Sequence, residues 1–218
     1  MTAPTILWEG ATALAVDKPS GMLVHNSAFA GPRERSLRQA VGAELARRVY
    51  PVHRVDRGTS GVVLFARETA YVPAWQAALA SERAGKMYLA VVRGRLSIER
   101  DIDAPLRSEG DGQAKIARTL VLPLGVSNVA RCSLVAVGIA TGRQHQIRRH
   151  LDSVGHPVVN DATHGDSRFN RDVRSWVGDR LMLHAWSICV PSPEALASEA
   201  QRFDESARGD AQARRDAS

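Results

Sequence analysis

The residue run best suited to chemistry is His53-Arg54-Val55-Asp56-Arg57-Gly58-Thr59-Ser60-Gly61. It sets one carboxylate between two arginines, immediately before the apolar run Val62–Ala66. Nearby cations favour the ionised form of a carboxylate. Such a group is a poor general acid but a ready nucleophile or base. Asp56 is therefore the first candidate for a reacting group. The competing reading is a loop aspartate that accepts from backbone amides beside solvated arginines.

A second run, Thr141-Gly142-Arg143-Gln144-His145-Gln146-Ile147-Arg148-Arg149-His150-Leu151, changes that balance. A helix from Arg143 to Val154 would place Ile147, Leu151 and Val154 on one buried stripe. Arg148 would then lie roughly 90° from the centre of the stripe, half-buried at the boundary between core and solvent. A guanidinium there needs an acidic partner; otherwise it snorkels to water, the reading that suits Arg143 and Arg149 as water or phosphate contacts. A metal site finds no support. His145 and His150 are five apart, not the four that puts two ligands on one helix face, and Cys132 and Cys189 stand alone. No G-x-G-x-x-G or G-x-x-x-x-G-K-S/T loop offers a nucleotide cradle.

The elements that must position these groups alternate irregularly. Short strands are expected on either side of a turn at Lys18-Pro19-Ser20-Gly21, within Ala13 to Val24. Others are expected at Val62–Ala66, Met87–Val92, Ser133–Ile139 and Leu181–Val190. Helices are expected over Pro32–Val49, with Leu37, Val41, Leu45 and Val49 on one face, and over Thr69–Ala84. Ser108–Ala114 reads as a loop or hairpin tip. Without a regular βαβ pattern the fold class is α+β. Residues 1–192 form one expected domain, and 193–218, with six acids, four arginines and a single aromatic, read as a frayed helix or disordered tail.

Of the 29 basic residues only three are lysine, against 23 acids, for a net charge of +6 and a pI near 10.0. That balance points to nucleic acid, since arginine suits phosphate and base contacts. No apolar run reaches the roughly 18 residues of a membrane span, and the first seventeen residues hold no Lys or Arg for a signal peptide. A cytoplasmic protein without membrane contact is expected.

The chain resembles the RluA-type pseudouridine synthases, whose hallmark is H-R-L/V-D-x-x-T-S-G. The likeness runs from Asp17-Lys18-Pro19-Ser20-Gly21 through Lys86-Met87-Tyr88-Leu89-Ala90-Val91-Val92-Arg93-Gly94 and the G-R-x-H-Q-I-R-x-H segment. It continues through Val159-Asn160-Asp161, His164-Gly165-Asp166 and Leu181-Met182-Leu183-His184-Ala185. The compact length and the stretch from His164 to Arg171 look most like the TruC-type branch, which modifies uridine 65 of tRNA; an rRNA target is the alternative.

The resemblance implies a mixed, mostly antiparallel sheet flanked by helices and halved by a cleft. It implies Asp56 as catalytic aspartate, Arg148 as its ion-pair partner and Tyr88 packed on the target base. Arg54 would enter the RNA helix as the base leaves, and Leu183 would pack on the flipped ring. Arg57, Arg143, Arg149 and Arg171 are further expected RNA contacts, and Asp161 and Asp166 are structural. No cofactor or metal is implied, and a monomer is expected. Val55 replaces a commoner Leu, Gln144 a commoner Thr and Asn160 a commoner Gly; the last two bear on substrate choice. A retaining N-glycosidase would need a second acid as proton donor. A non-catalytic RNA-binding protein would explain the charge but not Asp56.

Overall fold

The computed structural model of the chain describes residues 4–26, 31, 34–107 and 112–194. One large sheet organises them. Its strands are β1 (Thr5–Glu9), β2 (Ala13–Lys18), β3 (Tyr50–Pro51), β4 (Ser60–Ala66), β5 (Gly85–Arg93), β6 (Arg100–Asp103), β9 (Arg118–Ser127), β10 (Cys132–Ile139) and β11 (Leu183–Cys189). A small separate hairpin pairs β7 (Leu106–Arg107) with β8 (Ala114–Lys115). The order across the large sheet is β1-β2-β4-β11-β5-β10-β9-β6, with β3 beside β4. Every pairing is antiparallel except β11 with β4. The fold is α+β with a mixed, mostly antiparallel sheet.

The last strand thus lies in the middle and joins two halves. Its parallel contact with β4 matches only His184 with Ser60 and Ala185 with Gly61. Gly61 makes that approach possible: it sits at φ +105°, and a Cβ there would lie 2.1 Å from the Ala185 carbonyl oxygen.

Helices cover both faces. Val63 and Phe65 of β4 pack with Leu37 and Val41 of α1 (Leu37–Glu44), whereas Leu64 and Ala66 pack with Trp75 and Leu79 of α2 (Val72–Ala80). β4 is buried on both sides, which is why its sequence reads as an unbroken apolar run. Ile147 and Leu151 of α3 (Gln146–Ser153) close the core over Tyr88, Ala90 and Val92 of β5 and Val135 and Val137 of β10. Phe169 and Val173 of α4 (Ser167–Val177) pack on Ala130, Cys132 and Val159.

Several expectations are corrected. No second strand follows the Lys18 turn, because the Lys18 ammonium draws 19–22 into a curl by bonding the carbonyls of Pro19 (3.0 Å) and Met22 (2.7 Å). The first helix stops at Glu44; Ala46 turns at φ 48°, yet Val49 still reaches the same core cluster as Leu37 and Val41. The second begins as a 3-10 turn at Thr69–Tyr71 and ends at Ala80. The third begins at Gln146, not Arg143, because the Gln146 side chain accepts from the Arg143 amide (3.1 Å) and holds the preceding residues in a turn. Strands β1, β6 and β9 and helix α4 were not foreseen. For α4 the signal was present: Phe169, Val173 and Val177 recur every four residues behind the N-cap Asp166, which accepts from the amides of Arg168 and Phe169. The expected loop at 108–114 falls partly, and the expected tail almost wholly, outside the described residues.

Candidate active site

The loop ahead of β4 carries Asp56, and the Lys18 turn holds it from beneath. Lys18 Nζ and the Gly21 amide both donate to the Arg57 carbonyl (3.0 and 2.8 Å), and Ser20 Oγ donates to the Gly58 carbonyl (2.6 Å). Lys18 is fully buried, and burial lowers its pKa to about 8, with Arg57 adding to the shift against the opposing pull of Asp56 and Asp17. On the other side of the loop His53 Nε2 accepts from the Leu64 amide (3.1 Å), and burial drives its pKa down to about 4. Lysine and histidine here are fasteners: one satisfies carbonyls, the other an amide.

The Asp56 carboxylate faces a cleft lined by Arg54, Thr59, Tyr88, His145, Arg148 and Leu183, about 80 Å³ in volume. A wider hollow of about 460 Å³ adjoins it, shares Arg54, Tyr88 and Arg143, and extends past Gln76 and Lys86. Larger clefts of about 500 and 550 Å³ lie elsewhere and hold neither Asp56 nor Arg54, Tyr88, His145, Arg148 or Leu183. The cleft opens where the two halves meet. Asp56 comes from the β4 half, Tyr88 from β5, Arg148 from α3 and Leu183 from the start of the seam strand.

Arg148 Nη1 donates to Asp56 Oδ2 at 3.0 Å. Its main partner is another acid: Nε and Nη2 grip Asp161 Oδ2 and Oδ1 at 2.6 and 2.7 Å. Arg148 is 7% exposed and Asp161 2%, so the guanidinium is buried rather than half-buried as the helix pattern predicted. The segment around Asp161 folds over the helix edge and supplies the countercharge that makes such burial tolerable. Burial works against the charge on Arg148, and hydrogen bonds to both carboxylates more than offset it. Burial likewise disfavours ionised Asp161, but Arg148 and the amides of His164 and Thr163 hold its pKa below the usual carboxylate range.

Asp161 is thus more than scaffolding: it carries the residue that carries Asp56. Its weight was not legible in sequence, because 13 positions separate it from Arg148 on a different element. Asp166 serves α4 as its N-cap and pairs with Arg93, a structural role.

Tyr88 is held in the core cluster at the cleft floor, and burial, with Asp56 nearby, pushes its pKa up to about 12. It is a neutral phenol at working pH. His145, absent from the expected site, reaches within 3.9 Å of Asp56 through Nε2.

The arginines divide. Arg54 is exposed at the cleft mouth. Arg57 is tied to the Gly21 carbonyl and to Glu34 (2.9 Å). Arg143 and Arg149 are anchored on the carbonyls of Ile116 and Arg107. Arg171 is exposed on α4 and lies outside the cleft lining. Asn160 turns at φ 61°, where glycine is also at ease. Its Nδ2 bonds the carbonyls of Gly178 and Arg180 (2.9 Å each), a structural clamp rather than a substrate contact.

The model of the RNA pseudouridylate synthase family matches residues 12–153, which include Asp56, Tyr88 and Arg148. The chain belongs to that family. A relative called tRNA pseudouridine synthase C from Haemophilus ducreyi is 34% identical over 88% of this chain and 86% of its own length. One of the same name from Yersinia pestis is 36% identical over 94% and 88%. The fold agrees with the solved structure of human RNA pseudouridylate synthase domain containing 1, at TM-score 0.71 and 24% identity over 87% of this chain and 79% of that one. Among the described residues no helix is long and apolar enough to cross a membrane, and no group of three or more His, Cys, Asp or Glu side chains could hold a metal ion.

Proposed function

We propose that this chain converts a uridine of tRNA to pseudouridine, with Asp56 as the reacting carboxylate. The observation that carries the reading is the ion pair of Asp56 with buried Arg148, at the floor of a cleft walled by Tyr88 and Leu183.

The reaction breaks the N1–C1′ bond, turns the uracil and joins C5 to C1′. The hydrogen displaced from C5 is replaced by one gained at N1, so nothing is oxidised and no atom is lost. Attack at C1′, attack at C6 and removal of the C2′ proton all draw on an ionised carboxylate with a nearby cation. Asp56 and Arg148 supply that pair. The Tyr88 ring offers a platform for the detached base, and its neutral hydroxyl can exchange a proton at C5. Leu183 covers the other side of the base and excludes water, which would otherwise trap the sugar as a hydrolysis product. A base inside a helix cannot reach this floor, so the uridine must flip out, and Arg54 at the mouth is placed to fill the space it leaves. The excess of arginine supplies phosphate contacts.

The tRNA assignment draws on the name shared by the relatives, and position 65 on the resemblance of the His164–Arg171 stretch. Mapping pseudouridines in total tRNA and rRNA from a deletion strain, with and without the restored gene, decides both. In vitro, tritium placed at C5 of uridine should be released by the wild type and not by Asp56→Asn of unchanged fold. Release by the Asn variant at a rate near wild type would refute the assignment.

A further inference from the structure

His145 faces the carboxylate oxygen of Asp56 that Arg148 does not bond. Its Nε2 stands 3.9 Å from Oδ1, whereas Arg148 takes Oδ2. That distance is too long for a hydrogen bond, and both side chains line the cleft.

The ring is held in place. His145 adopts the left-handed conformation at φ 51° and ψ 27°, one that few side chains take, just ahead of α3. Its ring meets that of His164 edge to face, with centroids 5.2 Å apart, and its Nδ1 lies 3.0 Å from His164 Nε2. The His164 amide donates to Asp161 Oδ1. The histidine pair is therefore fixed to the same buried acid that holds Arg148.

The tautomer follows from the surroundings. The charged and titratable groups around His145 are Asp56, Arg148, His164 and Asp161. Burial, with Arg148 and His164, keeps its pKa below the ordinary imidazole value, so the ring is neutral at pH 7. A neutral ring bears one N–H. Facing a carboxylate, Nε2 is the favoured place for it, and His164 Nε2–H then donates to Nδ1 of His145.

The cleft thus presents a donor and an acceptor 3.9 Å apart. A hydroxyl about 2.8 Å from each can accept from one and donate to the other; a C–H can do neither. In a ribonucleoside the hydroxyl adjoining C1′ is the 2′-OH, on the sugar face opposite the base. That is also the face from which a carboxylate reaches C1′.

We propose that His145 Nε2 and Asp56 Oδ1 together bind the 2′-hydroxyl of the target uridine, so that His145 is a specificity-determining residue for ribose over deoxyribose. The inference rests on the reading of Asp56 as the reacting carboxylate.

The test uses a stem–loop RNA carrying the mapped uridine, and its twin with 2′-deoxyuridine at that one position. The half-saturating concentration for the first comes from single-turnover tritium release, and the inhibition constant of the second from competition. For the wild type the deoxy RNA should bind about 10- to 100-fold more weakly, the worth of two hydrogen bonds of which one is to a carboxylate. In His145→Phe, which keeps a ring and removes the donor, the ratio should fall about three- to tenfold, the preference that remains coming from the bond to Asp56 Oδ1. His145→Asn, at ease in the left-handed region but too short to reach Asp56, should behave like Phe and serves if the Phe variant does not fold. His145→Gln, whose amide reaches the place of Nε2, should keep the discrimination. Equal ratios in the wild type and in the Phe or Asn variant, or no preference in the wild type, would overturn the inference and leave the assignment of Asp56 standing. A wild type that releases tritium from no uridine would bring down both.

Discussion

Replacing Asp161 with Asn tests whether this acid supports the reacting pair. The Asp161 side chain is fully buried and accepts four hydrogen bonds, from Arg148 Nε and Nη2 and from the amides of Thr163 and His164. Asn keeps the shape but turns one oxygen into an NH2 that must face a donor, and it removes one of the two charges opposing Arg148. Removing one partner of a buried pair costs about 3–5 kcal/mol. Because Asp56 still opposes Arg148, a loss of about 3 kcal/mol is expected. For a chain of this length that lowers Tm by about 6–12 °C. The sign with pH follows from the lowered pKa of Asp161. Between the unfolded value near 3.9 and the lower folded value, the unfolded chain binds a proton that the folded chain does not. The contribution is therefore complete above about pH 4 and is lost as pH falls through the folded pKa. Urea unfolding at pH 7, 5, 4 and 3 should show a gap between wild type and Asp161→Asn that is constant down to about pH 5 and narrows below 4. Single-turnover tritium release at saturating RNA should fall about 10- to 100-fold, with RNA affinity nearly unchanged, because Arg148 no longer sits squarely against Asp56. A stability loss under 1 kcal/mol together with an unchanged saturated rate would refute the claim that Asp161 positions Arg148.

Arg148→Met keeps an apolar stem and removes the charge; it should lower the saturated rate far more than the affinity, and an unimpaired rate with weakened binding would make Arg148 a mere phosphate contact. Tyr88→Phe leaves the ring in its cluster, so stability should change by no more than about 1 kcal/mol, while a fall in the saturated rate measures the hydroxyl's part in proton transfer. His53, with its pKa near 4 against an ordinary 6.5, takes up a proton in the unfolded chain first, so stability should decline by about 2–3 kcal/mol as pH drops from 6.5 to 4; His53→Gln should flatten that decline in urea titrations. The double change Arg149→Gln and Arg171→Gln should reduce the slope of log affinity against log salt by about 1–2 and raise the apparent KM while sparing the saturated rate, and a collapsed rate would misplace the RNA path.

What the sequence determined is what short-range pattern can encode. The unbroken apolar run Val62–Ala66 announced a strand, and Asp56 stood in the loop before it with Arg54 and Arg57 as neighbours. The spacing of Ile147 and Leu151 placed Arg148 at the edge of a core face. The irregular alternation of strands and helices gave the α+β class, the half-buried place of Arg148 called for an acidic partner, and the resemblance that the family match bears out named Asp56 as that partner. The tertiary structure decided what depends on contacts between distant segments. β11 enters the middle of the sheet rather than its edge, because Gly61 lets it approach β4, and that insertion places Leu183 in the cleft beside Tyr88. Closing the 159–166 segment over α3 buried Arg148, gave it Asp161 as a second partner and set His164 against His145. Arg57, expected as an RNA contact, is paired with Glu34 from another part of the chain. No periodicity reports such pairings, because burial of a charge depends on whether an opposite charge folds over it, and that is settled only when the chain closes.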